Sequence, residues 1–193
     1  MARPKVLPNQ KNAYERLSDA FWITLEDYPL EQISVTSISK MAKVNHNTFY
    51  YYFDNTEDMA RKLLADTCPA PDAILKYIEE SEGSVEADDP ATLAECAKLH
   101  RTLLLIRSSH PSIHEDLREQ GIRTWGQVSG VDPAERTSDD RNVVVFVIGG
   151  VLELIREQKL SEGMDLRTFL TQPAGIIARQ MLNTVKDKYT KAR

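Results

Sequence analysis

The chain has 193 residues, of which 41% are hydrophobic and 27% are charged, a composition typical of a globular protein that buries a core of its own. No basic segment followed by an apolar run opens the sequence, and the longest apolar stretch, residues 143–152, is about half as long as a membrane span, so we expect a cytoplasmic protein without membrane contact. The net charge is −5, but residues 1–53 carry +1 and the remainder −6, which excludes a generally basic protein and still allows one local site for a polyanion.

The N-terminal third is predicted to form four helices. Apolar residues at helical spacing predict a first helix that begins near Asn9 or Asn12, ends before Pro29 and turns Leu17 and Phe21 toward the core. A short second helix is expected to follow, with Thr36 as its N-cap and with three residues turned toward the core, Ile38, Met41 and Ala42. Lys43 and Val44 are predicted to form a tight turn, Asn45 to cap the third helix, and Thr56, Glu57 and Asp58 to begin the fourth.

The rest of the chain is predicted to be helical as well. The acidic, turn-rich residues 79–90 are expected to form an exposed connection, and residues 129–140 a second loop. Helices are expected at 90–108, 111–125, 143–158 and 173–186, the third of them preceded by Asp140 or Asn142. The valines at 143–145 favour a strand by propensity, but no partner strand is evident, and the sequence as a whole predicts an all-α fold of about nine helices.

Five consecutive aromatic residues lie in the predicted third helix, in the stretch HNTFYYYFDN at 46–55. With 3.6 residues per turn, Phe49, Tyr52 and Phe53 share one face and are expected to pack inward. The opposite face and its flanks then display residues that can donate hydrogen bonds, namely Asn47, Thr48, Tyr50 and Tyr51, with His46 in the first turn. Two short helices joined by a tight turn, the second with a polar outer face, indicate a helix-turn-helix that reads the major groove of DNA.

The segment VTSISKMAKVNHNTFYYYFDNTEDMARKLL resembles the DNA-binding segment of the tetracycline-repressor (TetR) family of transcriptional regulators. The resemblance covers residues 9–65, and Lys43 stands where many members have glycine. It implies a helix-turn-helix domain over residues 1–55, with the motif at about 35–54, and a larger α-helical effector-binding and dimerisation domain over 56–193. It implies contacts to DNA phosphates from Thr36, Tyr50, Tyr51 and Thr56, contacts to bases from His46, Asn47 and Thr48, and further backbone contacts from Lys43 and Lys11.

The same resemblance implies a homodimeric, ligand-responsive regulator, a repressor, that binds a palindromic double-stranded operator. An unknown small-molecule effector is expected to contact His100, Leu103, Leu104, Trp125 and Phe146. The apolar segment 143–155 and the final helix are expected to form the dimer interface, through Val147, Gly150, Leu154, Ile177 and Met181.

Other classes of function find less support in the sequence. Phosphate-binding, dinucleotide-binding, serine-hydrolase and zinc-protease motifs are absent, so we expect no enzyme, no catalytic residue, no cofactor and no metal. His110 and His114 have the spacing of two metal ligands on a helix, but no third ligand is evident. A protein-interaction adaptor or co-activator with the same fold and no DNA affinity remains the alternative, because the chain is acidic overall.

Overall fold

The computed structural model describes residues 11–67, 90–132, 134–157 and 171–190, and these residues form eight α-helices, one 3₁₀ turn and no strand. The fold of the described residues is therefore all-α, as the sequence predicts. The predicted exposed connection at 79–90 falls almost entirely outside these residues. Among them, no helix combines the length and the apolar character that crossing a membrane requires.

Helices α1 to α4 follow one another with short connections. They span Ala13–Asp27, Val35–Met41, His46–Tyr52 and Thr56–Asp66, and the 3₁₀ turn Leu30–Gln32 lies between the first two. Asn12 caps α1 in a reciprocal capping box with Glu15, and Asn45 caps α3, as predicted. The predicted cap of α2 is wrong: the residue that begins this helix is Ser34, whose side chain accepts a hydrogen bond from Ser37 N, and Thr36 lies within the first turn.

Four longer helices make up the rest of the described chain. Helices α5, α6, α7 and α8 span Pro90–Ile106, Pro111–Ser129, Ser138–Glu157 and Pro173–Thr190. Three of them extend past the predicted bounds, since α6 continues to Ser129 and is followed by Gly130 at φ 65°, α7 begins at Ser138, and α8 passes residue 186. The valine-rich segment is helical because Val144 and Val147 are buried on one side of α7, between α6 and α8, which a helical period achieves.

Two groups of buried side chains hold the helices together. The larger group joins α1 to α6 with Ile155 of α7, and it runs without interruption across residue 55, because α4 contributes Met59, Ala60, Leu63 and Leu64 to it. The smaller group contains Trp125, Val144 and Val185, from α6, α7 and α8. A domain boundary at residue 55 stays a prediction. Helix α4 follows this position and shares one core with the helices before it and the helices after it.

The predicted core of the N-terminal helices is correct with two exceptions. Leu17, Phe21, Ile38, Phe49 and Phe53 are all buried. Tyr52 is only half-buried. Met41 is 48% exposed, because it is the last residue of α2 and lies at the edge of α1, where its sulfur receives the Thr24 hydroxyl at 3.5 Å.

The connection between α5 and α6 is tied to the N-terminal helices by hydrogen bonds. The Arg107 guanidinium donates to Leu25 O at 2.6 Å, at the C-terminal end of α1. Glu31 Oε1 in the 3₁₀ turn accepts from Ser108 Oγ at 2.8 Å and from Ser109 N at 2.6 Å. These bonds cross about eighty residues of sequence and fix the position of α1 to α3 against the longer helices.

Candidate nucleic-acid interface

The turn between α2 and α3 is closed by backbone hydrogen bonds and contains a strained residue. Val44 N donates to Ser39 O at 3.0 Å, and Lys43 N donates to Lys40 O at 3.2 Å. Lys43 has φ 53°, and it is the one non-glycine residue with positive φ in the described chain. The left-handed conformation lets α3 leave the turn at a sharp angle to α2, at a cost of about 1–2 kcal/mol for a residue with a β-carbon.

Arg16 supports this turn from α1, which the sequence does not predict. Its guanidinium donates to Lys43 O at 3.3 Å, while the side chain stays exposed. The two residues are 27 positions apart, so no local spacing reveals the contact. Arg16 and Lys43 thus bring two cationic side chains to one end of α3. Lys11 lies nearby in sequence, but its ammonium is paired with Asp19 at 2.6 Å.

The aromatic run on α3 divides as its spacing predicts. Phe49 and Phe53 are 0% and 1% exposed, and Tyr14 of α1 stacks on Phe53 with ring centroids 5.4 Å apart. Tyr50 and Tyr51 point outward and are 52% and 70% exposed. Phe49 and Phe53 therefore fasten the helix to its neighbours, and two phenols face solvent. The far end of α3 is fixed by Lys62, which donates to Tyr52 O at 3.1 Å.

Four of the predicted DNA-binding residues lie along one concave surface, which we call the α3 groove. The groove is lined by Ala13, Arg16, Lys43, Val44, Asn45, Asn47, Thr48, Tyr51 and Tyr52. It joins the predicted residues Lys43, Asn47, Thr48 and Tyr51 with the unpredicted Arg16. Its polar lining consists of ammonium, guanidinium, amide and hydroxyl groups, which are the donors that contact phosphates and base edges in DNA complexes.

Three further predicted residues contact one another beside this groove. Thr36 Oγ1 lies 3.4 Å from His46 Nε2, and the His46 ring meets the Tyr50 ring edge-on, with centroids 5.4 Å apart. Thr36, His46 and Tyr50 are all exposed. Thr56 is the first residue of α4 and is half-buried, and no described contact joins it to the other seven.

The five residues predicted to line an effector pocket do not form one group. Leu103 and Leu104 belong to the larger core, and Trp125 to the smaller one. His100 is exposed on α5, and Phe146 is 70% exposed on α7. Phe146 lies on the outer side of α7, since it is four residues before Gly150 and eight before Leu154, both of which are also exposed.

The residues predicted to form a dimer interface are partly accessible. Gly150, Leu154 and Ile177 are exposed, and Met181 is half-buried. Val147 is only 4% exposed, since it points into the protomer, so its side chain is not available to a partner. The two histidines with metal-ligand spacing have other contacts: His114 Nε2 bonds with Ser108 O, and His110 Nδ1 lies 3.7 Å from Glu57 Oε2. Among the described residues, no group of three metal-ligating side chains exists.

No protein-family model and no curated protein sequence matches the chain. Three solved structures are similar to it over nearly its whole length. The dihydroxyacetone kinase operon activator DhaS is 14% identical, with 91% of this chain and 95% of its own covered and a TM-score of 0.48. All three are described as regulators or as an activator or repressor.

The other two have similar values. The fatty acid degradation regulator FadR from Bacillus halodurans is 18% identical, with 90% and 96% of the two chains covered and a TM-score of 0.49. The TetR family repressor AlkX from Dietzia sp. strain DQ12-45-1b is 14% identical, with 91% and 96% covered and a TM-score of 0.45. AlkX carries the name of the family that residues 9–65 resemble.

Proposed function

We propose that the protein is a transcriptional regulator of the TetR type, a repressor, which binds a palindromic operator as a homodimer and responds to a small-molecule effector. The observation that carries this proposal is the division of α3. Phe49 and Phe53 on its inner side are buried, and its outer face presents Asn47 and Tyr51 in a groove with two cations, Arg16 and Lys43.

Each part of that groove has a role in the proposed complex. The N-terminal turn of α3 enters the major groove, where the Asn47 amide pairs with a base edge, as asparagine does with adenine. The Tyr51 hydroxyl and the cations at Arg16 and Lys43 contact phosphates, which sets the register without selecting a sequence. The buried rings of α3 keep these donors in place before DNA arrives, so little ordering is needed on binding.

A helix of seven residues touches few base pairs, and the proposal therefore includes a second copy. Two copies related by a two-fold axis would read two half-sites whose energies add, which is why the operator is expected to be a palindrome. The exposed apolar side chains Phe146, Leu154 and Ile177 on α7 and α8 support such a dimer. The effector would bind in the longer helices, which the α5–α6 connection links to α1 and the 3₁₀ turn.

The test is selection of bound sequences from a random DNA pool, followed by affinity measurements on the selected site. Asn47→Ala should weaken binding to that site and relax the choice of base by about 1–3 kcal/mol. Tyr51→Phe should weaken binding to all sequences alike. Asn142→Ala, which changes an exposed asparagine on α7, is the matched control and should bind as the unmodified protein does.

A protein-interaction adaptor is the second candidate, favoured by the net charge of −5. The two functions differ in their response to salt. A DNA-binding protein loses affinity steeply as the salt concentration rises, because bound cations on the DNA are released. If no DNA is enriched from the pool at low salt, the regulator proposal is wrong and the adaptor is favoured.

A further inference from the structure

A buried arginine lies at the end of the helical bundle remote from α3. Arg136, in the connection between α6 and α7, is 8% exposed, and its guanidinium carbon lies 4.7 Å from the centroid of the Trp125 ring. Its Nη2 donates to Val131 O at 2.9 Å. Its Nε is also buried, and this N–H has no hydrogen-bond partner.

The neighbouring helix leaves space for this guanidinium. A β-carbon added at Gly126 of α6 would come within 2.5 Å of Arg136 Nη2, so any other residue there would displace the arginine. The Trp125 ring covers one face of the guanidinium plane, which is the usual stacking of arginine on an aromatic ring. The arginine is therefore held in a fixed position by a ring, a carbonyl and a glycine.

No carboxylate in the described part of the chain forms an ion pair or a hydrogen bond with Arg136, although the negative charge of Asp132 acts on the guanidinium from a longer distance. Asp140, the buried acid at the start of α7, accepts from Lys188 at 2.5 Å, and from Tyr189 Oη and Thr137 Oγ1, each at 2.8 Å. The Asp140 carboxylate therefore bonds to the C-terminal end of α8 and not to Arg136. Desolvation lowers the pKa of the Arg136 guanidinium, which shows that burial opposes its charge.

A buried charge without a counter-ion is costly to the fold, and an apolar side chain of similar volume would be at least as stable. A bound anion would supply the missing counter-ion. The planar N–H edge of a guanidinium matches two oxygens of a carboxylate or a phosphoryl group. We propose that Arg136 and Trp125 form a binding site for the oxyanion of a small molecule, a carboxylate or a phosphoryl group, which the unpartnered Nε–H contacts.

The apolar part of such a molecule has suitable contacts nearby. Trp125 belongs to the smaller core, around which the half-buried residues Ile122, Val143, Ile148 and Leu182 pack. A ligand with an oxyanion at one end and an apolar body would thus meet both kinds of surface. This site is separate from the α3 groove that is proposed to contact DNA. Binding of its ligand can therefore be measured on the protein in the absence of DNA.

The test uses thermal unfolding with three probes, inorganic phosphate, acetate and octanoate, at constant ionic strength set with potassium chloride. Binding at a concentration one hundred times Kd should raise Tm by about 5 °C or more. Arg136→Met should abolish this rise, and Arg118→Met, which removes an exposed arginine of α6, should retain it. A response to phosphate alone identifies a phosphoryl ligand, and one to acetate or octanoate a carboxylate.

A second measurement does not depend on the folding of the Arg136 variant. In Trp22→Phe, Trp125 is the only tryptophan of the chain, and its fluorescence should change saturably as the same probe is added. The inference is overturned if none of the three probes changes Tm or this fluorescence, or if Arg136→Met responds as strongly as Arg118→Met. These measurements contain no DNA. Their failure can therefore be told apart from a failure of the proposed DNA binding, which selection from the random DNA pool tests.

Discussion

Lys43 occupies a backbone conformation that glycine adopts at lower cost. Its φ of 53° places its β-carbon close to its own carbonyl oxygen, and the contact from Arg16 to that oxygen stabilises the turn in this form. Strained residues persist where the surrounding structure holds them, and they concentrate at functional sites. Binding of the Lys43 ammonium to a DNA phosphate would explain why a lysine occupies a position where glycine would be less strained.

Lys43→Gly should therefore have effects of opposite sign on stability and on DNA binding. Relief of the left-handed strain, less the greater freedom of glycine in the unfolded chain, should stabilise the fold by about 0.5–1 kcal/mol. DNA binding should weaken, and the slope of log K against log salt should fall by about 1, since one phosphate contact is lost. Urea unfolding and binding at several salt concentrations measure both.

Lys43→Gln is the control, because it removes the charge and keeps the strain. It should weaken DNA binding as Lys43→Gly does, with stability unchanged. A glycine variant that binds DNA with the full salt dependence would show that this ammonium does not contact phosphate.

Asp140 is a second residue whose surroundings predict a measurable effect. It is 2% exposed, and hydrogen bonds from Lys188, Thr137 and Tyr189 lower its pKa from 3.8 to about 2. Since the folded pKa lies below the unfolded one, the stabilisation is fully present above about pH 4 and is lost as pH falls toward 2. At about 1.36 kcal/mol per pH unit, it amounts to roughly 2 kcal/mol at neutral pH.

Asp140→Asn should lower the free energy of unfolding by roughly 2 kcal/mol at pH 7, because it removes this charge-assisted bonding. The difference between the two proteins should stay constant from pH 7 to pH 5 and shrink below pH 4. Urea unfolding at a series of pH values measures it. Asp139→Asn, next to it and exposed, is the matched control, and a loss of equal size there would contradict the assignment.

At the scale of the helix, one face of α3 packs into the core and the other is exposed, so substitutions on the two faces should differ in their effect on stability. Phe49 is 0% exposed and contacts the rings of Tyr50 and Phe53, so Phe49→Ala should destabilise the protein by about 3–5 kcal/mol. Tyr51→Ala, two residues later and 70% exposed, should change stability by no more than about 0.5 kcal/mol. An unchanged urea midpoint for Phe49→Ala would reverse the face assignment.

Much of this helix could be predicted from the sequence, because the burial of its rings follows from the helical period alone. The N-cap of α2 could not, since Ser34 and Thr36 are both good caps and the choice depends on where the 3₁₀ turn ends. The contact of Arg16 with the turn could not be predicted, because its partner, Lys43, is distant in sequence. The inward side of α7 was equally ambiguous: Phe146 and Val147 are adjacent apolar residues, and only packing against α6 and α8 decides that Val147 is buried.

At the scale of the whole molecule, the outer surface of α7 and α8 exposes a group of apolar side chains within the described part of the chain. Phe146, Gly150 and Leu154 recur every four residues along α7 and are exposed, and Ile176 and Ile177 are exposed on α8, which packs against it. Exposed apolar side chains grouped in this way are typical of an interface. Four helices, two from each protomer, would bury them about a two-fold axis.

Ile177→Asp and Gly150→Glu should each convert a dimer into a monomer, because each places a charge in this interface. Both variants should remain folded, since Ile177 is 56% exposed and a β-carbon added at Gly150 meets no atom within 4 Å apart from its chain neighbours and the backbone of its own helix. Ile23→Asp is the matched control: Ile23 is 52% exposed on α1, far from α7 in the chain, and its variant should stay dimeric. The measurement is the molecular mass at micromolar concentration, together with affinity for the selected DNA, which should fall with the mass because each monomer reads only one half-site. A monomeric unmodified protein, or a dimer that tolerates both charges, would rule out this interface and with it the proposed reading of a palindrome.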